Sequence, residues 1–372
     1  MSTVRCLLLV SGFALLMMMP GKAFGQESDN GIVRTVSDDI SLRISGTLQP
    51  RVTYTSDDVD RVGFGVRRMR LRLLVDISDR LGLFMQMEGS GASARWLDLR
   101  GEYYLNDNLT LRTGRFVGTQ PRAYARTGHA AIDAIDRPAI SDMWARMTIG
   151  ADGRDYGVEA LWSNPQWEVR AFLHNGHNAL NFGRGISHNP VDGGIETDGF
   201  AFSGSATHWP SGRDALELGV FASANTSKND LTAIGGVGRN YFSYSANAYW
   251  GPQPGDQPVR LKTDIIGISY QDVEPFGAQN YIGASLFGGI LVKPHIELYA
   301  MGEYWYNDGG DMDSTAQVFA TLGGSYSLSA LQGGRFTHNR IMLAYSLRTL
   351  ESDSVDFDDL THVVMMQFQF YF

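Results

Sequence analysis

The chain has 372 residues, 31 basic and 40 acidic, and a formal net charge of −9. That balance offers no basic face for a nucleic-acid partner. Its one cysteine, Cys6, lies in the first apolar stretch. Beyond that stretch a disulfide scaffold, a thiolate nucleophile and a cysteine metal centre are excluded.

Arg5 precedes the apolar run Cys6–Met19, and Ala23 and Gly25 follow it as small residues. This pattern reads as a secretory signal cleaved after Gly25. As a helix the run spans roughly 21 Å, short of a bilayer core of about 30 Å. Loss of Arg5 and Lys22 leaves 29 basic against 40 acidic residues, a mature net charge of −11. No later segment reaches 18 consecutive apolar residues. If the mature chain crosses a membrane, it does so with strands. Residues 26–39 are expected to form a short periplasmic segment, and 40–372 one barrel. Glycine is abundant, at 43 residues, and no linker or composition shift divides the chain.

Period-two alternation begins at Ile40–Thr55, with Ile40, Leu42, Ile44, Leu48, Val52 and Tyr54 on one face. Phe64–Ser78 follows, with Met69, Leu71, Leu73, Val75 and Ile77 on one face. Leu81–Gly89, Arg95–Leu105 and Leu109–Phe116 come next. Tyr156–Trp162 and Trp167–Leu173 flank the turn Asn164-Pro165. Further strands are expected near 199–209, 214–224, 239–250, 258–271, 278–292, 295–306, 315–328 and 335–349. The last, Thr361–Phe372, puts Val364, Met366, Phe368, Phe370 and Phe372 on one face and Gln367, Gln369 and Tyr371 on the other. An outward aromatic at its end resembles the C-terminal assembly signal of bacterial outer-membrane proteins. The count is 16, and 14 or 18 stay open because single-strand signals are weak.

Connections after even strands are short, and those after odd strands include the long ones, 117–152, 175–198, 225–238 and 350–360. Short periplasmic turns alternating with long external loops mark a membrane barrel. The 117–152 connection, after the fifth strand, is too long for an ordinary soluble domain. It is expected to fold into the lumen and narrow it. Trp162, Trp167, Tyr103 and Phe372 are expected in an outward aromatic girdle near the periplasmic end.

Phe64-Gly65-Val66-Arg67-Arg68-Met69-Arg70-Leu71 resembles the arginine-rich second strand of phosphate-selective porins of the O and P type. Gly114-Arg115-Phe116 with Pro121, and Asp136-Arg137-Pro138, resemble the segments flanking that family's long third loop. Asn175-Gly176 and the Gly-rich late strands agree. The resemblance implies a 16-stranded homotrimeric channel in the outer membrane with a lumenal arginine ladder. It also implies a lysine cluster that gathers phosphate. This chain has only Lys22, Lys228, Lys262 and Lys293, so the resemblance implies the family more than phosphate specificity.

Strand parity turns Arg68, Arg70 and Arg72 to the lumen, roughly 6.6 Å apart. Arginine keeps its charge and holds oxyanions bidentately. Parity also turns Arg43, Arg51, Arg340 and Arg348 inward on the same wall, with Asp76 the one inward acid there. Over all strands the inward bases and acids are nearly balanced, at 12 against 10, but acids such as Glu159, Glu217, Glu297 and Glu303 lie on other walls. A basic wall is the expectation, and a ladder neutralised by neighbouring acids is the alternative. The long connection adds Arg122, Arg126 and Arg137, but also Asp133, Asp136 and Asp142, so it could complement that wall or extend it. The acids Glu351, Asp353, Asp356, Asp358 and Asp359 would repel anions at the mouth, bind bridging cations, or be merely solvated.

These features point to a porin for small anionic or neutral solutes. Outer-membrane lipid, lipopolysaccharide and the barrel assembly machinery are its expected partners, and a homotrimer its expected assembly. Two other classes stand beside it, a barrel hydrolase and a structural barrel without conductance. His174, His177 and His188 match no zinc spacing, and no G-x-S-x-G elbow is present. Neither a cofactor, a metal nor catalysis is expected.

Overall fold

The computed structural model describes residues 32–37, 40–56, 60–91, 93–125, 128–148, 153–176, 200–226, 240–255, 257–271, 277–310, 313–352 and 360–372. Seventeen strands run through these residues. They are β1 Ile32–Ser37, β2 Ile40–Ser56, β3 Arg61–Ser78, β4 Leu81–Glu88, β5 Arg95–Asn106 and β6 Leu109–Phe116. Then come β7 Asp155–Ser163, β8 Trp167–His174, β9 Ala201–His208, β10 Leu216–Asn225, β11 Tyr241–Trp250 and β12 Val259–Tyr270. Finally there are β13 Gln279–Lys293, β14 Ile296–Asn307, β15 Thr315–Ser327, β16 Arg340–Ser352 and β17 Thr361–Tyr371.

From β2 to β17 each strand pairs antiparallel with the next, and β17 pairs back onto β2. The ring is a closed barrel of sixteen strands, so backbone groups find partners around its wall. Among the described residues, no helix is long and apolar enough to cross a membrane.

The period-two pattern becomes two faces. In β11, Tyr241, Ser243, Ser245, Asn247 and Tyr249 are buried inside, while Phe242, Tyr244 and Trp250 are exposed outside. Leu, Val, Ile and aromatic side chains cover the outside of nearly every strand. An exposed apolar surface this continuous marks a face built for contact with hydrocarbon or protein. Trp162, Trp167, Tyr103 and Phe372 all lie exposed, near the short-turn end.

The seam closes at a glycine. Gly46 N–H donates to Phe372 O at 2.9 Å, and Phe372 N–H returns a bond to Gly46 O at 3.1 Å. A Cβ on Gly46 would lie 2.4 Å from the Phe372 ring. Phe370 and Phe372 are exposed as expected, but Phe368 is only 8% exposed despite the same parity.

Two departures from sequence expectation concern strand ends. β1 lies within the stretch expected to be a simple periplasmic segment, yet it pairs with Ile40–Ile44 of β2. It occupies the same edge of β2 that β17 occupies above Ser45. The strand expected from 335 begins at Arg340, because Leu328–Leu331 forms a helical turn whose N-cap is Ser327. Ser327 Oγ accepts there from Ala330 N–H, the usual satisfaction of a free helix-start donor.

Gly114 holds β6 in place where it turns toward the long connection. Its φ of 121° is open to glycine, and a Cβ there would lie 2.2 Å from Leu99 O. Gly114→Ala is expected to destabilise the barrel by about 1–3 kcal/mol. The check is the temperature at which the folded band is lost on an unheated-versus-heated gel.

Candidate functional site: the constricted lumen

Pro50 shapes the site from within β2. It has no N–H to give the ladder, and the pairing slips beside it. Gln49 opposes Arg68, and Pro50 opposes Val66. Arg67 is left over as a bulge. Val62, Phe64 and Val66 are exposed on the outside above the bulge, and Met69 and Leu71 below it. Arg67 itself turns inward and reaches Asp136 at 3.0 Å. Simple parity missed this arginine, and Pro50 opposite a double arginine was the available signal.

The described parts of the long connection, 117–125, 128–148 and 153–154, lie inside the barrel. Ile140, Trp144 and Ala145 of the helix Ala139–Met147 pack with Ala123 and Tyr124 against Phe221, Ile266, Ile268 and Trp305 of the wall. Trp144 meets the Phe221 ring edge-on at 5.8 Å. Glu303 of β14 accepts a bond from the Ile140 N–H at 3.1 Å, at the helix start. Burying these apolar side chains on an inner wall gives the loop one seat.

The bend Asp133-Ala134-Ile135-Asp136 is tied at both ends. Asp133 takes Arg260 at 2.5 Å and Lys262 at 2.8 Å, both from β12. Asp136 takes Arg51 of β2 at 2.7 and 3.0 Å, a bidentate pair, and Arg67 of β3. Between them, Ala134 packs on Phe287, Tyr299 and Met301, and Ile135 on Met342, Ala344, Val363 and Met365. Burial raises the Asp133 carboxyl, but Lys262 and Arg260 outweigh it and hold its pKa at about 2. Asp136 is likewise held low, burial being outweighed by its bonds to Arg51 and Arg67.

His129, 3% exposed, meets Arg72 Nη2 at 2.7 Å, Arg70 Nη1 at 3.3 Å and Thr47 Oγ1 at 2.7 Å. Burial, then Arg72 and Arg70, push its pKa well below the ordinary imidazole range. The ring is neutral and accepts from the guanidiniums. A lowered folded-state pKa means this contact stabilises above the unfolded value of about 6.5 and weakens as pH falls. Acidification is therefore expected to loosen the loop, and His129→Gln to remove the response. Conductance noise recorded between neutral and acid pH tests this.

The remaining expected ladder residues sit as follows. Arg68 donates to Gln49 Oε1 at 3.0 Å, and Arg70 pairs with Glu88 at 2.7 Å. Arg340 donates to the Ala130 and Ile132 carbonyls of the loop. Arg348 borders a cavity of about 50 Å³ beside Glu303 and Asp136. Arg43 is half-buried. In the loop, Arg122 pairs with Glu217 of β10 at 2.5 Å, and Arg137 donates to Tyr124 O at 3.1 Å. Arg126, His177, His188 and the acids at 353–359 lie outside the described residues.

The expected basic wall needs a correction. Its arginines are not opposed by Asp76 alone. The loop delivers Asp136 to Arg51 and Arg67, and β4 delivers Glu88 to Arg70. Other walls are paired too, by Arg112 with Glu102 and Glu159, Arg154 with Asp98, and Arg170 with Glu168. The surplus of positive charge is local. A cavity of about 290 Å³ on the long-loop side of the bend is lined by Arg67, Arg68 and Arg70, by Arg95, and by the loop's Arg137, Arg146 and Arg154. Glu88 and Asp142 are the acids that face it.

One arrangement resembles hydrolase chemistry. Asp155 Oδ2 meets His174 Nδ1 at 2.8 Å, and His174 Nε2 meets Ser203 Oγ at 2.8 Å. The serine then donates onward to Ser223 Oγ at 2.9 Å. All four side chains are at most 5% exposed, and none lines a cavity described above. A nucleophile needs room for a carbonyl carbon and its oxyanion donors. This chain of bonds joins β7 to β10, and among the described residues it borders none of those cavities. Among the described residues no cluster of three metal-ligating side chains occurs.

A closed sixteen-strand antiparallel barrel with an apolar outside and a charged lumen has the fold of the outer-membrane porins. An anion-selective porin from Comamonas acidovorans matches with a TM-score of 0.65 at 13% identity, over 90% of this chain and 100% of its own. OmpT, an outer membrane protein of Vibrio cholerae, matches with a TM-score of 0.62 at 10% identity as its L8-deletion mutant, over 90% and 100%. The outer membrane channel DcaP of Acinetobacter baumannii matches at 0.59 and 14%, over 92% and 100%. No family model and no curated protein matches the chain.

Proposed function

We propose that the chain is an outer-membrane porin, a water-filled channel for passive uptake of small solutes with a mild preference for anions. The single observation behind the preference is the cavity above the bend, where seven arginines face two carboxylates. A narrow, low-dielectric passage with one sign of surplus charge concentrates the opposite ion. The anion-selective porin from Comamonas acidovorans, with the same fold, is consistent with it. Phosphate-like anions are one class of solute this cavity suits, in keeping with the resemblance of Phe64–Leu71 to phosphate-selective porins. In this reading residues 1–25 are the signal, the long loops face outward from the cell, and the C-terminal strand is the assembly signal. Lipopolysaccharide and lipid surround the barrel, and three copies associate, as the trimer form of the Vibrio cholerae protein illustrates.

A second reading, a structural barrel without conductance, has one observation in its favour. The loop packs against the inner wall, with cavities of about 50 and 20 Å³ beside the bend. Single-channel recording of the purified chain in a planar bilayer separates the two. A porin gives stable current steps, and a structural barrel gives none.

A further inference from the structure

We infer that the constriction is positioned from the short-turn end of the barrel. The turns after β11 and after β15 clamp the in-folded loop, and Gln369 and Phe336 are the positioning residues. The inference rests on the porin reading and names what sets the width of that same lumen.

Gln369 of β17 makes the most direct connection. It is 1% exposed. Its amide has two N–H donors and one oxygen. Nε2 donates to Ala130 O of the loop at 3.0 Å and to Thr337 O of the turn after β15. Oε1 accepts from Gln49 Nε2 at 2.7 Å, and Gln49 Nε2 also reaches His129 O at 3.3 Å. One buried amide therefore gives one hydrogen to the loop and the other to the turn. Arg340, the first residue of β16, adds its bonds to Ala130 O and Ile132 O from directly beyond that turn.

The turn after β11 reaches the other end of the same segment. Lys262 and Arg260, which bind Asp133, also donate to Pro252 O at 2.5 Å and to Gly251 O at 3.5 Å. These cations join turn carbonyls to a loop carboxylate, as Gln369 joins a turn carbonyl to a loop carbonyl. The two turns then meet each other. Phe336 is 6% exposed, and a Cβ on Gly255 would lie 2.5 Å from Phe336 Cβ. Gly255 has a φ of 87°, open to glycine, and so brings the backbone against Phe336.

Buried hydrogen bonds linked in series fix their members relative to one another. A shift of either turn moves the carbonyls that hold Gln369, Lys262 and Arg260, and with them the atoms that hold Ala130 and Asp133. Other turns at this end lack the connection. Asn106 and Asn164, in the turns after β5 and β7, accept from backbone N–H groups of their own turns. Asn164 O also takes Arg213 at 2.9 Å, from the turn after β9. None of these bonds reaches the loop.

The test is the frequency of transitions between open sub-levels in single-channel records of the full-length reconstituted channel. Phe336→Ala removes the contact between the two turns, and Gln369→Leu removes both amide donors. Each is expected to raise the frequency of transitions to wider sub-levels about tenfold, equivalent to about 1.4 kcal/mol. Phe336→Leu, which keeps most of the side-chain volume, is expected to behave as wild type. Asn164→Ala disturbs a turn at the same end and is expected to change nothing in the records. Heat-resistant gel mobility reports barrel folding in every variant. Should Gln369→Leu fail to fold, Phe336→Ala still decides. Wild-type transitions in Phe336→Ala, or an equal rise in Asn164→Ala, overturn the inference while leaving the porin standing. A wild-type channel without current overturns both.

Discussion

Replacing Asp133 and Asp136 together by Asn should release the constriction and raise single-channel conductance several-fold, with noisier open levels. Each carboxylate is the tie between loop and wall. Asp133 neutralises Arg260 and Lys262, and Asp136 neutralises Arg51 and Arg67. Removing one partner of a buried pair costs about 3–5 kcal/mol, because the remaining charge stays desolvated. Arg260 keeps Glu297 at 2.6 Å, so the β12 end should loosen less than the β2 end. Asp136→Asn alone is then expected to do most of the work. The helix Ala139–Met147 remains seated by Trp144 and Ile140, so the barrel itself should fold and keep its heat-resistant gel mobility. Unchanged conductance in the double variant would show that apolar packing alone holds the loop.

Neutralising Arg67 and Arg68 by Gln should move the reversal potential in a salt gradient toward cations, whereas Arg72→Gln should move it little. Arg70 is paired with Glu88, and Arg72 keeps its charge beside the neutral His129 but does not line the cavity. Arg68 faces the cavity with no carboxylate partner among the described residues, and Arg67, at the bulge beside it, shares the single carboxylate of Asp136 with Arg51. At an effective dielectric constant near 20, a cation about 8 Å away stabilises an anion by roughly 2 kcal/mol. Since about 1.4 kcal/mol is tenfold, the permeability ratio should change by an order of magnitude for the pair. Screening lengths of about 10 Å at 0.1 M salt make the effect larger in dilute salt. A larger shift from Arg72→Gln than from the Arg67/Arg68 pair would place the selective region lower in the lumen.

The wall was legible in the sequence because a half-buried strand has a period of two, and Ile40–Thr55 or Thr361–Phe372 carries it without interruption. The in-folded connection was legible from its length, and its placement after the fifth strand held. What strand parity could not carry was pairing between the loop and the wall. Asp133 and Arg260 are 127 residues apart, and Arg51 and Asp136 are 85 apart. Nothing local in the Asp133-Ala134-Ile135-Asp136 stretch says which wall each carboxylate will meet. The bulge was missed for a related reason. Parity assumes an unbroken ladder, and the effect of Pro50 falls on Arg67, a residue of the neighbouring strand. The helical turn Leu328–Leu331 fell in the connection between the strands expected to end at 328 and to begin at 335, and one turn is too short for a helical period to show.

The reversal potential of the wild-type channel across a tenfold potassium chloride gradient at low ionic strength tests the central claim most directly. An open porin whose lumenal surplus is the arginine cavity gives discrete current steps and a reversal potential displaced toward the chloride equilibrium potential. Absence of current, or displacement toward the potassium equilibrium potential, would contradict it.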